Sequence, residues 1–228
     1  MSGVLSIVAT PIGNYEDITL RAVKVLDAVD FIVCEDLKEA RRLLSKLDIK
    51  KELVTLNEHD EAANTPDIID RLLAGENVAL ISDCGTPMFA DPGHILLDAA
   101  LSNQIQIVPV PGVSSLTTAL SVSALRAEKF YYYGWLPVKK DIRKKELYRL
   151  SRMNELIIFL ETPYRLKNIM KDIVDNFGRG TEAVLAYDLT LPTEQILRGS
   201  AGSIYDKVVA QSLKGEFVLL VDNRKMKK

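Results

Sequence analysis

Three short stretches of this chain combine glycine or proline with hydroxyl side chains, and each follows an apolar run. They are Thr10-Pro11-Ile12-Gly13-Asn14, Ser82-Asp83-Cys84-Gly85-Thr86-Pro87 and Pro111-Gly112-Val113-Ser114-Ser115. Glycine permits tight turns and close backbone approach, whereas proline sets a turn and removes a donor. None of the three holds lysine or arginine, and the chain has neither a Walker pattern nor a GxGxxG dinucleotide fingerprint. A triphosphate or pyrophosphate ligand is therefore disfavoured, although a helix N-terminus alone can hold phosphate. Hydroxyls, backbone amides and one carboxylate, Asp83, suit a nucleoside carrying an amino acid. The same residue types also serve any strand-to-helix junction as caps and turns, so spacing alone names no ligand.

The elements that must position these loops are legible. Apolar runs predict strands at 4–9, 31–34, 53–56, 78–82 and 106–110. Between them, helices are expected at 18–29 and 37–47, the latter with Leu43, Leu44 and Leu47 on one face. Thr65-Pro66-Asp67 reads as a helix start, threonine as cap and proline as first helical residue, running to about residue 74. Asp91-Pro92-Gly93 reads as the cap of a helix reaching 101, and 113–124 as a small-residue helix. This repetition implies a mostly parallel sheet covered on both faces. The carboxyl ends of such strands share one edge, where ligands bind. All three loops fall there, and so does the carboxylate pair Glu35-Asp36.

The second half is different. Strands are expected at 130–135, 156–160, 182–187, 194–198 and 217–221, with helices at 139–151, 163–176 and 204–211. The short connection 189–193 suits an antiparallel hairpin. The fold class is thus α/β with two domains, 1–113 carrying a mostly parallel sheet and 114–228 a mixed one.

At 228 residues the chain is long enough for two compact domains. Its 29 basic and 31 acidic side chains leave a net charge of -2, so any basic surface is local. One exists: residues 139–152 hold Lys139, Lys140, Arg143, Lys144, Lys145, Arg149 and Arg152 against Asp141 and Glu146, with Tyr131, Tyr132, Tyr133 and Trp135 just before. Such a strip either tracks an RNA backbone or is simply a solvated helix face. The tail 224–228 is basic, and disorder is expected of it. Cys34 and Cys84 form neither a disulfide framework nor a zinc pattern and are expected to be free thiols, buried or partly buried. His59 and His94 lack metal-like neighbours, and no metal site is expected. The opening residues lack the features of a signal peptide, and no apolar run approaches the ~18 residues of a membrane span. A soluble, cytoplasmic protein without a membrane partner is the expectation.

The run from Val8-Ala9-Thr10-Pro11-Ile12-Gly13-Asn14-Tyr15-Glu16-Asp17-Ile18-Thr19-Leu20-Arg21-Ala22 resembles the opening motif of the ribosomal RNA small subunit methyltransferase I family, in the tetrapyrrole methylase superfamily. Ser82-Asp83-Cys84-Gly85-Thr86-Pro87, Asp91-Pro92-Gly93, Val110-Pro111-Gly112-Val113-Ser114-Ser115, Glu161-Thr162-Pro163-Tyr164-Arg165 and Gly215-Glu216-Phe217-Val218-Leu219 continue the likeness in order. The resemblance implies two α/β domains with S-adenosylmethionine (SAM) in a cleft between them, and a homodimer. By position it implies cofactor contacts at Pro11, Ile12, Asp83, Thr86, Phe89, Ser114 and Ser115, and at Leu160 and Ala186 in the second domain. The implied reaction is methyl transfer to the 2′-hydroxyl of a cytidine in the decoding region of small-subunit ribosomal RNA, free or in the assembled subunit.

The sequence departs from the family at Leu37-Lys38, where threonine and arginine are usual, and at Tyr164, where histidine is common. Leu191-Pro192-Thr193 loses the usual lysine and histidine, and the chain ends at Lys228 without the C-terminal extension of many members. For a ribose hydroxyl, a poor nucleophile, a base helps. Glu35 and Asp36 are the candidates; the alternative for them is a carboxylate pair complementing a helix dipole. Arg165 either meets an RNA phosphate or makes a surface ion pair, and Tyr164 either stacks on a base or packs. Two other readings stay open: a superfamily methyltransferase acting on a tetrapyrrole, another small molecule or a protein, and a non-catalytic SAM- or RNA-binding module.

Overall fold

Runs such as Phe31–Cys34 and Val78–Ile81, apolar at every position, need cover on both faces of a sheet. A computed structural model describing residues 2–89 and 91–225 shows how they obtain it. The chain divides into two compact units, Met1–Ser114 and Ser115–Lys228.

In the first unit, β1 (Val4–Val8), β2 (Phe31–Cys34), β3 (Glu52–Thr55), β4 (Val78–Ile81) and β5 (Gln106–Val110) form one sheet in the order β3-β2-β4-β1-β5. Every pairing is parallel. Alternate residues sort to opposite faces. Ile32, Cys34, Ala79 and Ile81 pack with Ala22 and Leu26 of α1 (Leu20–Ala28) and Leu43 and Leu44 of α2 (Leu37–Lys46). Phe31, Val33, Val78 and Leu80 pack with Ile68 and Leu72 of α3 (Glu61–Leu73) and Leu96 of α4 (His94–Ser102). Thr19 caps α1 by accepting from the Ala22 N–H at 3.0 Å.

Two helix starts differ from expectation, for one reason. Helix α3 begins at Glu61, and Pro66 lies inside it. Thr65 is no cap, because its hydroxyl donates back to the Glu61 carbonyl at 2.7 Å. Nor does an Asp91 side chain cap α4. The buried Glu61 carboxylate reaches over from α3 and accepts from the N–H groups of Gly93 at 2.9 Å and Ile95 at 2.7 Å. The Glu61 side chain thereby satisfies orphan donors of a neighbouring helix.

In the second unit, α5 (Ser115–Ser121) is shorter than the expected 113–124 helix. The mixed sheet has the order β6-β7-β10-β8-β9. Here β6 (Tyr131–Gly134) runs parallel to β7 (Leu156–Glu161), and β10 (Phe217–Asp222) runs antiparallel to both β7 and β8 (Glu182–Tyr187). The expected hairpin joins β8 to β9 (Gln195–Ser200) in antiparallel register from Tyr187↔Gln195 to Glu182↔Ser200. Helices α6 (Lys140–Leu150), α7 (Leu166–Phe177) and α8 (Ala201–Ala210) bury Leu147, Ile169 and Ile204 against Phe159, Leu185 and Leu219. The basic tail is ordered where it begins: Arg224 pairs with Asp222 at 2.6 Å and donates to the Arg126 carbonyl at 2.6 Å. Residues 226–228 of that tail lie outside the described residues.

Candidate active site

All five strands of the parallel sheet end on one edge, and the first unit gathers its chemistry there. Thr10 and Gly85 exchange backbone hydrogen bonds, N–H to carbonyl at 2.8 and 3.1 Å, which ties the loop after β1 to the loop after β4. Gly85 supplies the φ of +78° this contact needs. The Thr86 hydroxyl donates to the Val113 carbonyl at 3.1 Å, tying the same loop to the one after β5. Gly112 passes so close to β1 that a Cβ there would lie 2.9 Å from the Ala9 Cβ. The structure therefore joins Pro11, Ile12, Asp83, Thr86 and Ser114 into one connected rim. Pro11 is buried, Ile12 half-buried and Phe89 exposed.

Carboxylates line this rim. The Asp36 N–H donates to Asp83 Oδ1 at 3.2 Å, while Asp36 Oδ1 accepts from the Lys38 N–H at 2.6 Å as the cap of α2. Asp36 thus takes the helix-capping role. Glu35, half-buried, has no hydrogen bond or ion pair to its carboxylate among the described residues. Burial pushes its pKa up, and the charges of Asp83, Asp91, Glu58 and Asp36 push the same way. Asp91 is pushed up to about 6, first by burial and then by Asp83. Asp83 is itself raised by partial burial, against the Asp36 N–H, which lowers it. Cys34, buried beneath them, is pushed up to about 12 by burial and by Asp83 and Asp36, so it stays a thiol. Cys84 is exposed and outside any disulfide, not buried or partly buried as expected. The sequence marks Asp91 only as a helix cap within a family motif and does not mark Glu58, and the charge of each acts on Glu35 through space.

In the second unit, Leu160 on β7 and Ala186 on β8 both pair with Val218 of β10 and so share one row of the sheet. Beside that row, Glu161 is 2% exposed and accepts from the Leu136 N–H at 3.0 Å. Arg165 pairs with Glu161 at 3.0 Å and donates to the Pro137 carbonyl at 3.1 Å. Burial raises the Glu161 pKa, and the charge of Arg165 works against that. Arg143, expected on the basic strip, turns inward to Asp172 at 2.8 Å and donates to the carbonyls of Pro137 and Val138. Glu161 ends a strand and Arg165 closes the turn after it, so their four-residue spacing is no helical pair. Nothing in the sequence links Arg143 to Asp172.

Residues 4–205 match the tetrapyrrole (corrin/porphyrin) methylases. The chain is 40% identical over 221 residues to the ribosomal RNA small subunit methyltransferase I of Xylella fastidiosa, covering 96% of this chain and 81% of that protein. It is 36% identical over 220 residues to the protein of the same name from Halalkalibacterium halodurans, covering 96% and 76%. The chain belongs to the ribosomal RNA small subunit methyltransferase I family. Like that family, it is a SAM-dependent methyltransferase. Its fold is shared with a cobalt precorrin-4 methyltransferase of cobalamin biosynthesis, at a TM-score of 0.72, 19% identity and coverage of 96% and 94%. A uroporphyrin-III C-methyltransferase from Thermus thermophilus, solved with S-adenosyl homocysteine, aligns at a TM-score of 0.66, 18% identity and 96% coverage of each chain.

The rim of this family member fits SAM by its donor set. Backbone amides, the hydroxyls of Thr86 and Ser114 and the Asp83 carboxylate match a ribose and an amino acid, and the three loops carry no lysine or arginine for a phosphate. The close passage of Gly112 over Ala9 leaves backbone, not side chain, at the rim. Among the described residues no group of His, Cys, Asp and Glu could hold a metal ion, and no helix is long and apolar enough to cross a membrane.

Proposed function

We propose that this chain transfers the methyl group of SAM to the 2′-hydroxyl of a cytidine in the decoding region of small-subunit ribosomal RNA. The observation that carries the reading is the connected rim of the first unit, where three hydrogen-bonded loops meet a half-buried carboxylate in a chain of this family. In the first unit, Pro11, Ile12, Asp83, Thr86, Phe89 and Ser114 hold the cofactor. SAM, when bound, supplies an already activated methyl group.

Glu35 takes the proton of the ribose hydroxyl. Its carboxyl carries no other hydrogen bond, and a raised pKa strengthens it as a base. Asp36 positions rather than reacts, since its oxygens cap α2 and its N–H orients Asp83. Holding the acceptor oxygen in line with the methyl carbon contributes much of the acceleration. Arg165 acts inside the second unit, where Glu161 engages it, and not on an RNA phosphate. The enzyme works in the cytoplasm, on ribosomal RNA or the assembled small subunit, as the homodimer usual in its family.

The test incubates purified protein with methyl-labelled SAM and small ribosomal subunits from cells lacking the gene. Label mapped by digestion and mass spectrometry to a 2′-O-methylcytidine supports the reading. A SAM-binding protein that leaves the RNA unlabelled refutes it. Sedimentation velocity checks the dimer.

A further inference from the structure

The connection from β6 to α6 is held far more firmly than a linker requires. Glu161 accepts from the Leu136 N–H. Arg165 donates to the Pro137 carbonyl, and Arg143 donates to the carbonyls of Pro137 at 3.1 Å and Val138 at 2.9 Å. Both arginines are themselves anchored by carboxylates, Glu161 and Asp172. Four charged groups thus fix the backbone of Leu136, Pro137 and Val138, while apolar side chains there face outward: Trp135, just before, is 49% exposed and Val138 82%. The turn that carries Arg165 also carries Tyr164, 78% exposed, with Lys214 Nζ 4.4 Å from its ring centroid.

Charge on the adjoining helix is equally one-sided. Arg143 is internal and Arg149 is paired with Glu146. That leaves Lys139, Lys140, Lys144 and Lys145, all without an ion pair among the described residues and opposed only by Asp141. Lys140 and Lys144 lie one helical turn apart, about 6 Å along the axis, comparable to the step between successive phosphates of an extended strand.

We propose that the braced 135–138 loop, the Tyr164 turn and the lysine face of α6 form a docking surface for single-stranded ribosomal RNA. The lysines meet phosphates, and the rings of Trp135 and Tyr164 stack on bases. Single-stranded RNA asks for both kinds of contact, because its bases are open to stacking and its backbone carries the charge. Rigid bracing lowers the ordering cost of binding. The inference rests on the ribosomal reading above, extends it to a surface, and fails separately from it.

The test measures binding of a fluorescein-labelled, single-stranded fragment of the decoding-region RNA between 50 and 300 mM salt. Replacing Lys140, Lys144 and Lys145 together by glutamine is expected to weaken binding roughly 10- to 100-fold near 0.1 M salt. It should also lower the log–log salt slope by about 2, at ~0.7 for each phosphate left without its lysine. The Trp135→Ala/Tyr164→Ala double variant should weaken binding at least about 30-fold, at ~1 kcal/mol or more for each ring lost, with the slope unchanged. SAM affinity, the check on folding, should not move in either variant. Wild-type affinity and slope in the lysine variant overturn the surface. So does a weakening seen with intact subunits but not with the RNA fragment, which would mark a ribosomal protein as the partner. If RNA binding depends on this surface yet subunits are never methylated, the surface stands and the proposed reaction falls.

Discussion

Glu61 offers a direct test of how the proposed cofactor loop after β4 is held. Its carboxylate is 7% exposed, and a single oxygen, Oε1, accepts from the N–H groups of Gly93, Ile95 and Leu96 at 2.9, 2.7 and 3.4 Å. A hydrogen bond to a charged group contributes roughly 1.5–3 kcal/mol, and the bond at 3.4 Å contributes little. A negative charge at a helix N-terminus adds up to about 1 kcal/mol. Water will reach part of the vacated space in Glu61→Ala, so a destabilisation of about 3 kcal/mol is expected. Glu61→Gln keeps an acceptor where Oε1 lies and forfeits only charge assistance, about 1–1.5 kcal/mol. Native-state hydrogen exchange reads this locally. The Ile95 and Leu96 amides should exchange roughly 100-fold faster in the alanine variant and about 10-fold faster in the glutamine variant. Helix α4 ends the loop that carries Asp83, Thr86 and Phe89, so SAM affinity should fall several-fold in the alanine variant. Equal effects of the two substitutions, or a change under about threefold in Glu61→Ala, would refute the capping argument.

Four further outcomes are expected. Glu35→Gln should lower kcat at least about 100-fold with little change in SAM affinity, as removal of a general base does, measured by methyl transfer at saturating subunits. Because the Asp91 charge raises the Glu35 pKa, Asp91→Asn should shift the acid limb of the kcat profile to lower pH. Asp91 itself has a folded pKa of about 6 against an ordinary 3.8. The folded state therefore binds the extra proton, and the charged form costs stability as pH rises through that window. Asp91→Asn should accordingly stabilise by about 1–2 kcal/mol near neutral pH and by nothing in strong acid, read by urea titration. Gly112→Ala, whose Cβ would meet Ala9 at 2.9 Å, should cost about 1–3 kcal/mol and raise the SAM Kd about tenfold by calorimetry. Removing either partner of the buried Arg143–Asp172 pair should cost about 3–5 kcal/mol. The double variant should be destabilised by at least about 1 kcal/mol less than the sum, a cycle read by denaturant unfolding.

The order of strands and helices was readable because each signal is local. Unbroken apolar runs such as Phe31–Cys34, short and β-branched, suit strands covered on both faces, and a connection as short as 189–193 suits a hairpin rather than a crossover. The same logic placed the three loops and Glu35 on one sheet edge, since parallel strands leave no other place for them. The motif residues carried the family as well, because a run as long as Val8–Ala22 fixes residue type and order at fifteen consecutive positions.

What the sequence could not decide depends on groups far apart in the chain. Thr65-Pro66 has the local grammar of a helix start, yet α3 begins five residues earlier, at Glu61, whose carboxylate is held by backbone amides of α4. Arg143 sits in a basic run and reads as surface; an aspartate from α7 draws it inside. Arg165 reads either as a phosphate ligand or as half of a surface ion pair; the structure pairs it, with a glutamate that is buried. The separate roles of Glu35 and Asp36 likewise emerge only in three dimensions. Local propensity assigns both to a helix start, but burial and the facing charges of Asp83, Asp91 and Glu58 act on Glu35 through space. Electrostatics and capping depend on distance between atoms, and only folding brings those atoms together.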